Sequence, residues 1–481
     1  MQFVIPLSRD GAPLFRQVYL AFRDAILRGT LRAGARLPST RELAEQLAIS
    51  RTVVVLAYDQ LLAEGFVEGR SGSGTYVSAG LAEIRHKTLP NSAKLRLSAF
   101  GRASAAAPGD TFPARQSSGL RYDFAYGQSD TEVFPFEKWR RIALRTMRAA
   151  SIRELEYCPA AGSLMLREAI CAQVRRSRAV VCDPSQLIIV NGSQQALDLA
   201  VRLLIERSDR VAIEDPQYQG TREVLLAAGA RLCPVPVDRD GLISDRLPKN
   251  ARAAFVTPSH QFPTGAILPL GRRLALLEWA NTQNAVVIED DYDGEFRYEG
   301  QPVESLQGLD TQGRVIYIGT FSRSIFPALR IGYLIAPHSL VPACTNAKWL
   351  NDRHSAMLEQ RVLAEFIASG MYERHLRRVR SRNASRRKAL LDAIAQYLGD
   401  RVTLTGEGAG AHVVIWPRKR VSENDVIARA ASMDVRIRGL SAYFLSRPRR
   451  AGFILGYSRL NEDEIREGIR RLAEALPTEN G

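Results

Sequence analysis

The sequence predicts an α/β chain with a mostly parallel central sheet, preceded by a small unit of helices. From Tyr122 onward, continuous apolar runs alternate with stretches of helical periodicity. These runs occupy residues 187–190, 211–213, 253–256, 286–288 and 315–318. Strands buried on both faces have this unbroken apolar pattern, and their alternation with helices indicates a parallel sheet. Within the first 78 residues, helical periodicity instead occupies most of residues 13–62.

Composition narrows the class of protein. The chain has 481 residues, of which 46% are hydrophobic and 24% charged, so it is globular and too long for one ordinary core. It contains no run of about 18 apolar residues, and we expect no membrane span. Its five cysteines lack disulfide or metal-ligand spacing, which predicts no metal site and a reducing, cytoplasmic location. The net charge of +15 favours a polyanionic partner without identifying one.

The first two helices have clear sequence signals. Val18, Phe22 and Ile26 recur at a spacing of four and would share one face of a helix. Ser39 and Glu42 form a capping box, in which each side chain accepts a hydrogen bond from the other residue's backbone amide. A second helix is therefore predicted to begin at residue 40.

A third helix and a hairpin complete the predicted N-terminal unit. Ser50 is expected to cap the third helix, whose inward face would comprise Val54, Tyr58, Leu61 and Leu62. Residues 66–77 have the pattern of a β-hairpin with a glycine-rich tip. Two short helices, a tight turn and a hairpin are typical of a winged helix-turn-helix, although a plain three-helix packing unit has a similar pattern.

The N-terminal motifs resemble those of GntR-type winged helices. The resemblance rests on residues 37–44, 50–52, 58–61 and 72–77, and it covers the predicted DNA-binding domain at 1–78. It implies operator DNA as a partner, with DNA contacts from Arg41, Ser50, Arg51, Thr52 and Gly72. Arg41 and Ser50 would hold phosphates, whereas Arg51 would read a base edge.

Residues 79–121 are predicted to be a basic flexible linker. Small residues, Pro and Gly dominate this segment, and basic side chains are scattered through it. Those basic side chains could contact DNA beside the hairpin, but the composition favours a solvated tether.

Polar motifs follow several of the predicted strands. Residues 190–195 run from a strand into a helix, where backbone amides and the Ser193 hydroxyl can cradle a phosphate. Residues 288–293 end another strand in carboxylates. Residues 315–333 are predicted to be a strand, a hydroxyl-rich turn, and a second strand entered through Arg330. Because the carboxyl ends of parallel strands meet at one edge, these motifs are expected to share a pocket.

Together these motifs resemble the aminotransferase-like domain of MocR-type regulators, members of the GntR superfamily. The resemblance runs from about Tyr122 to Ser458. It implies an aminotransferase fold-type I domain over 122–481, with a small C-terminal α+β subdomain at roughly 385–481 and a head-to-tail homodimer. The implied cofactor is pyridoxal phosphate.

The resemblance also implies a role for each pocket residue. Asp290 would pair with the pyridine nitrogen, Tyr292 would hydrogen-bond the phenolic oxygen, and Tyr218 would stack on the ring. The phosphate would be held by Ser193, Gln194, Ser322 and Arg330.

Arg323 stands where this family has the lysine that forms a Schiff base with the cofactor. A guanidinium stays protonated and cannot act as the free amine, so no catalytic residue is assigned and cofactor binding is expected to be non-covalent or weak. The sequence favours a transcription regulator that senses pyridoxal phosphate or a related small, anionic or amino-acid-like effector. An aminotransferase with an added DNA-binding domain, and a regulator that binds another anion, remain alternatives. Arg436 and Arg438 could meet an effector carboxylate, but the sequence favours surface positions for both.

Overall fold

The computed structural model describes residues 5–8, 11–79, 96–107, 119–127, 129–151, 156–298, 304–448 and 450–477. The chain divides into two compact units, Met1–Arg96 and Leu97–Gly481. Among the helices of these described segments, none combines the length and apolar character needed to cross a bilayer.

The first unit is built from helices and one hairpin. Its elements are α1 (Leu14–Leu27), α2 (Thr40–Leu47), α3 (Arg51–Ala63), β1 (Val67–Arg70) and β2 (Gly74–Val77). Val18, Phe22 and Ile26 are buried on one face of α1, as their spacing predicts. The strands pair antiparallel, with Val67 opposite Val77. The chain turns between α2 and α3 at Ala48, whose left-handed backbone (φ 52°) ends α2.

Both predicted caps lie at helix starts, but only one uses its side chain. Ser39 Oγ accepts from the Glu42 amide at 3.2 Å, and Glu42 Oε2 accepts from the Ser39 amide at 2.8 Å, which confirms the capping box. Ser50 is the N-cap residue of α3, but its side chain makes no capping hydrogen bond. The expected inward position of Leu62 is wrong, because this side chain is 39% exposed near the end of α3.

The predicted linker contains a helix, α4 (Ala99–Ala106), that belongs to the second unit. It packs against the helix at Gln219–Ala228, and the Arg202 guanidinium lies 5.6 Å from the ring centre of Phe100. None of the residues of α4 is buried, so its packing is shallow. The rest of the predicted linker lies largely outside the described residues, at 80–95 and 108–118.

The second unit alternates strands and helices. Its strands are β3 (Tyr122–Asp123), β4 (Leu187–Val190), β5 (Arg210–Asp215), β6 (Arg231–Asp238), β7 (Gly241–Leu242), β8 (Ala253–Val256), β9 (Val286–Asp291), β10 (Val315–Thr320), β11 (Gly332–Ile335), β12 (Val402–Thr405), β13 (His412–Pro417), β14 (Val435–Arg436), β15 (Arg438–Gly439) and β16 (Phe453–Gly456). Its remaining helices are α5 (Phe136–Ala149), α6 (Leu164–Arg178), α7 (Ser193–Leu204), α8 (Gln219–Ala228), α9 (Leu270–Thr282), α10 (Leu306–Leu309), α11 (Val341–Asp352), α12 (Met357–Ala368), α13 (Met371–Tyr397), α14 (Glu423–Ser432) and α15 (Glu462–Ala475).

The large sheet has the order β4-β11-β10-β9-β8-β5-β6-β7. The pairs from β10 across to β6 are parallel, whereas β11 is antiparallel to both of its neighbours and β7 is antiparallel to β6. The mostly parallel sheet is therefore confirmed. In this register Gly332 lies opposite both Val190 and Thr320, and Gly319 lies opposite Asp291, so the polar motifs converge at one end of the sheet.

A smaller sheet, β12-β13-β16-β15, forms the C-terminal α+β part of this unit. Its core also contains the C-terminal half of α13 and the inner faces of α14 and α15. Tyr122 and Asp123 pair in parallel with Val435 and Arg436, so the start of the domain packs with its C-terminal part. The boundary predicted near residue 385 falls inside α13.

Candidate functional site

A cavity of about 610 Å³ opens at the carboxyl ends of the parallel strands. All eight residues predicted to bind the cofactor line this cavity: Ser193, Gln194, Tyr218, Asp290, Tyr292, Ser322, Arg323 and Arg330. These residues come from four segments, and the sheet register brings the segments together: the start of α7, the turn before α8, the end of β9 and the turn between β10 and β11.

One end of the cavity has the features of an anion site. Helix α7 begins at Ser193, directly after Gly192, whose positive φ of 83° suits a residue without a side chain. Arg330 Nη2 donates to the Asn191 carbonyl at 2.9 Å. A β-carbon at Gly192 would lie only 2.6 Å from the same Nη2 atom, so the glycine lets the guanidinium approach the helix N-terminus. Backbone amides and a guanidinium together favour a phosphate or carboxylate.

The hydroxyl-rich turn after β10 is held by its own hydrogen bonds. Thr320 Oγ1 accepts from the Ser322 amide at 3.2 Å and lies 3.0 Å from Ser322 Oγ. Ser129 Oγ donates to the Ser322 carbonyl at 2.9 Å. The turn ends at Arg330, which adopts a left-handed backbone with φ of 52° before β11 begins. These bonds keep Ser322 at the edge of the cavity.

Asp290 lies at the end of β9, on the cavity side. Only 8% of its surface is exposed, and its Oδ1 atom has no hydrogen-bond partner among the described residues. Burial, and after it the Asp291 and Asp293 carboxylates, raise the pKa of Asp290 to about 7, although Arg323 opposes this shift. A buried carboxyl without a partner is unfavourable unless a ligand supplies a proton donor.

Aromatic rings form the walls around Asp290. Tyr292 OH lies 2.9 Å from His260 Nδ1, which also lies 3.0 Å from Asp293 Oδ2. Burial raises the pKa of Tyr292 well above its ordinary value, so this hydroxyl keeps its proton. Phe262 packs edge-on between Tyr218 and Tyr443, with ring centres 6.0 and 5.2 Å apart. A flat ring would therefore meet apolar surfaces on the way to Asp290.

Arg323 projects into the same cavity. Its guanidinium carbon lies 4.4 Å from the ring centre of Tyr126, a cation–π contact. The cavity therefore contains a fixed positive charge besides that of Arg330.

Sequence reasoning did not assign several residues of the cavity wall, including Tyr126, Phe262, Glu223, Tyr443 and Ala107. Arg438 also lines the cavity, so the surface position favoured for it is wrong. The turn that contains Phe262 was a usable signal, because it follows a predicted strand at the correct edge. Ala107, at the end of α4, had no comparable signal in the sequence.

The five residues predicted to contact DNA lie on the surface of the first unit. Arg41, Ser50, Arg51, Thr52 and Gly72 are all exposed. Arg51 Nε donates to Thr40 Oγ1 at 3.2 Å, so the first residue of α3 is held beside the start of α2. Gly72 lies in the hairpin turn with a φ of 72°. Their contacts with DNA stay predictions.

The residues of the cavity fit pyridoxal phosphate in two respects. The unpartnered Asp290 Oδ1 is suited to a protonated ring nitrogen, and the cradle at Gly192 and Arg330 is suited to a phosphate. Arg323 provides a cation without providing an amine.

Comparisons with known proteins assign both units to families. Residues 122–434 match the family "Aminotransferase class I and II", and residues 14–77 match "Bacterial regulatory proteins, gntR family". Among solved structures, the α-aminoadipate aminotransferase LysN of Thermus thermophilus, complexed with N-(5'-phosphopyridoxyl)-L-leucine, is similar with a TM-score of 0.71 and 29% identity. That similarity covers 79% of this chain and 98% of LysN. Aminotransferases of this fold depend on pyridoxal phosphate, and GntR regulators bind operator DNA.

Relatives along the whole chain combine both units. The "Probable rhizopine catabolism regulatory protein MocR" of Rhizobium meliloti is 38% identical, over 98% of this chain and 96% of its own length. The "HTH-type pyridoxine biosynthesis transcriptional regulator PdxR" of Corynebacterium glutamicum is 31% identical, over 94% of each chain. The chain belongs to the MocR-type helix-turn-helix transcriptional regulators of the GntR superfamily, in which an aminotransferase class I and II domain follows the DNA-binding domain.

Proposed function

We propose that this regulator binds operator DNA through its first unit and holds pyridoxal phosphate, or a related small anion, non-covalently in the cavity of its second unit. The observation that carries the proposal is the combination, in one cavity, of an anion cradle, a buried carboxyl without a partner among the described residues, and Arg323. Such a cavity is suited to an anionic ring compound, and its described lining residues include no lysine for covalent capture.

The cofactor would be held by this chain's own polar groups. Arg330 and the amides at the start of α7 would meet the phosphate, together with Ser193, Gln194 and Ser322. Asp290 would accept a hydrogen bond from the ring nitrogen, and Tyr292 would donate to the phenolic oxygen. Tyr218 would lie against the ring. Pyridoxal phosphate supplies an electrophilic carbonyl and an electron-withdrawing ring when bound.

Arg323 is unsuited to transamination. Catalysis would require a residue at this position that alternates between a charged and a neutral amine and that transfers a proton. A guanidinium remains protonated, so Arg323 can attract a carboxylate or phosphate but cannot transfer that proton. The aminotransferase alternative would therefore need a different amine in the cavity, and no lysine lines it among the described residues.

A second candidate effector is an anion other than pyridoxal phosphate. Arg323, Arg330 and Arg438 all line the cavity, and three guanidinium groups could hold a ligand with two acidic groups. This possibility uses the same cavity and differs in the identity of the ligand.

For the DNA-binding unit, we propose that Arg51 reads a base edge and that Arg41, Ser50, Thr52 and Gly72 face the phosphates or the groove. All five are exposed, and Arg51 and Thr52 open α3. A head-to-tail homodimer acting in the cytoplasm is the arrangement that we propose for the intact regulator.

A cofactor titration tests the cavity. Pyridoxal phosphate is added to the full chain, to Arg323→Lys and to Arg377→Lys, which introduces a lysine at an exposed site on α13. After borohydride treatment, mass spectrometry should find a modified peptide at position 323 only in Arg323→Lys. An adduct on the parent chain within the cavity, or measurable turnover with an amino donor, would contradict the proposal.

A DNA-binding measurement tests the first unit. Duplexes selected by the full chain from a random pool are titrated by fluorescence anisotropy at several salt concentrations. Arg51→Ala should weaken binding by about 1–3 kcal/mol and relax the selected sequence, because a base contact is lost. Arg28→Ala, an exposed arginine at the end of α1, is the control. Unchanged specificity in Arg51→Ala would contradict the assigned role.

A further inference from the structure

An ion pair between a buried lysine and a partly exposed aspartate lies beside the anion cradle, outside the cavity. Lys348, on α11, has no exposed surface, and its Nζ atom donates to Asp352 Oδ1 at 2.5 Å and to Ser355 Oγ at 3.1 Å. Neither Lys348 nor Asp352 lines the cavity, so neither is positioned to touch a ligand there. Removing a lysine from water is unfavourable and lowers the pKa of Lys348, which Asp352 partly offsets.

Asp352 connects this pair to the turn between β4 and α7. Its Oδ2 atom accepts from Asn191 Nδ2 at 2.8 Å and from Gln195 Nε2 at 2.8 Å. The backbone N–H of Asn191 in turn donates to Gln195 Oε1 at 2.8 Å. One carboxylate oxygen therefore ties together the two residues that flank the start of α7.

This turn carries the cradle itself. The Asn191 carbonyl accepts from Arg330 Nη2 at 2.9 Å, and the next residue is Gly192, over which the guanidinium lies. A displaced Asn191 would move both the carbonyl that orients Arg330 and the amides that open α7. Networks in which each member is satisfied fix such positions better than isolated bonds do.

The lysine also has an electrostatic role. A carboxylate near an anion site repels the anion. Asp352 is such a carboxylate, because it bonds to Asn191, and the carbonyl of Asn191 accepts from Arg330. The ammonium of Lys348 balances this charge at 2.5 Å. Asp352 can therefore orient the turn without weakening the attraction of the cradle for an anion.

From this geometry we infer that Lys348 and Asp352 are positioning residues for the phosphate-binding end of the cavity, acting through Asn191 and Arg330. The inference rests on the proposed function, because it concerns the phosphate group of the ligand proposed there. It predicts that loss of the pair affects recognition of the phosphate selectively, whereas a role in stability alone would affect every ligand of the cavity alike.

The test compares two probes that differ only in the phosphate, pyridoxal phosphate and pyridoxal. Both are titrated into the full chain by absorbance, with Asp352→Ala, Lys348→Met and the milder Asp352→Asn as variants. Lys388→Met is the matched control, because Lys388 pairs with Asp392 at the same i,i+4 spacing and at 2.6 Å but on an exposed surface. Circular dichroism verifies that each variant is folded.

Asp352→Ala should weaken the binding of pyridoxal phosphate about tenfold and leave the affinity for pyridoxal unchanged. A tenfold loss is the size expected when charge-assisted hydrogen bonds are lost. Lys348→Met should have a larger effect, because it leaves the Asp352 charge uncompensated. Asp352→Asn should have a smaller effect and serves if the alanine variant does not fold. Lys388→Met should match the parent chain.

Equal losses for the two probes, or no loss for either, would overturn the inference. Arg330→Ala separates this failure from a failure of the proposed function. If Arg330→Ala also leaves pyridoxal phosphate binding unchanged, the anion cradle itself is wrong. If Arg330→Ala weakens it and the Asp352 variants do not, only the positioning role is wrong.

Discussion

Two neighbouring aspartates at the end of β9 differ in their hydrogen-bond partners. Asp291 accepts from Arg178 Nε at 2.7 Å and from Tyr317 OH at 2.5 Å. Asp290 faces the cavity, and its Oδ1 atom has no partner within the described part of the chain. Both are nearly buried, with 6% and 8% of their surfaces exposed. Successive side chains of a strand point to opposite faces, so a single step along the chain separates a structural ion pair from a carboxyl that faces the cavity.

The difference shows how this fold divides its polar groups. Arg178 Nη2 also lies 2.5 Å from Ser259 Oγ, so the pair at Asp291 is completed by groups of the protein itself. Asp290 has no such group at its Oδ1 atom among the described residues. A buried group that is satisfied internally supports the fold, whereas a buried group left unsatisfied is unfavourable for the fold and available to function.

The largest expected effect follows from breaking the internal pair. Arg178→Ala should lower the free energy of unfolding by about 3–5 kcal/mol, because it leaves a buried carboxylate uncompensated. Asp290→Asn should not lower it at pH 7, because no hydrogen bond within the protein is lost and the amide carries no charge to bury. Urea unfolding of the full chain, followed by circular dichroism, measures both.

Tyr317→Phe provides a milder second variant, in case Arg178→Ala does not fold. It removes one hydrogen bond to Asp291 and should lower stability by about 1 kcal/mol. If Asp290→Asn were as damaging as Arg178→Ala, the contrast between the two aspartates would be wrong.

A second prediction concerns pH and Asp290 alone. The pKa of this carboxyl is about 7 in the folded chain, above the ordinary aspartate value of 3.8, mainly because of burial. Between these values the folded state binds more protons than the unfolded state, so stability falls as pH rises. The parent chain should therefore lose about 2–3 kcal/mol relative to Asp290→Asn between pH 5 and pH 8, at about 1.36 kcal/mol for each pKa unit.

Urea unfolding at a series of pH values, without ligand, measures this difference. Glu214, Glu289 and Glu295 also have pKa values near 7, but they are present in both chains and cancel in the comparison. Parallel pH profiles for the parent and Asp290→Asn would show that Asp290 does not carry this buried proton.

The fold was predictable where local patterns decide it. Apolar runs located the strands β4, β5, β8, β9 and β10, because strands buried on both faces leave an unmistakable signal. Seven of the eight cavity residues lie in motifs at strand ends, which topology must bring to one edge, whereas Tyr218 is assigned only through the family resemblance.

The rest depends on contacts that the sequence does not specify. Ala107 and Arg438 reach the cavity through α4 and β15, whose placement is set by packing distant in the chain. Leu62 has the spacing of a core residue, but the small unit does not cover the end of α3. The link from Lys348 to Asn191 spans elements far apart in sequence, and no local pattern indicates it.

The smallest expected effect concerns two serines of the first unit, which differ from each other as the two aspartates do. Both are N-cap residues, but only the Ser39 side chain accepts a backbone hydrogen bond. Ser39→Ala should therefore destabilise α2 by about 1 kcal/mol, and amide hydrogen exchange in α2 should accelerate about fivefold in the full chain. Ser50→Ala should leave exchange in α3 nearly unchanged and should weaken DNA binding, because its exposed hydroxyl is available for a phosphate. Accelerated exchange in α3 with unchanged DNA affinity would mean that Ser50, like Asp291, serves the fold.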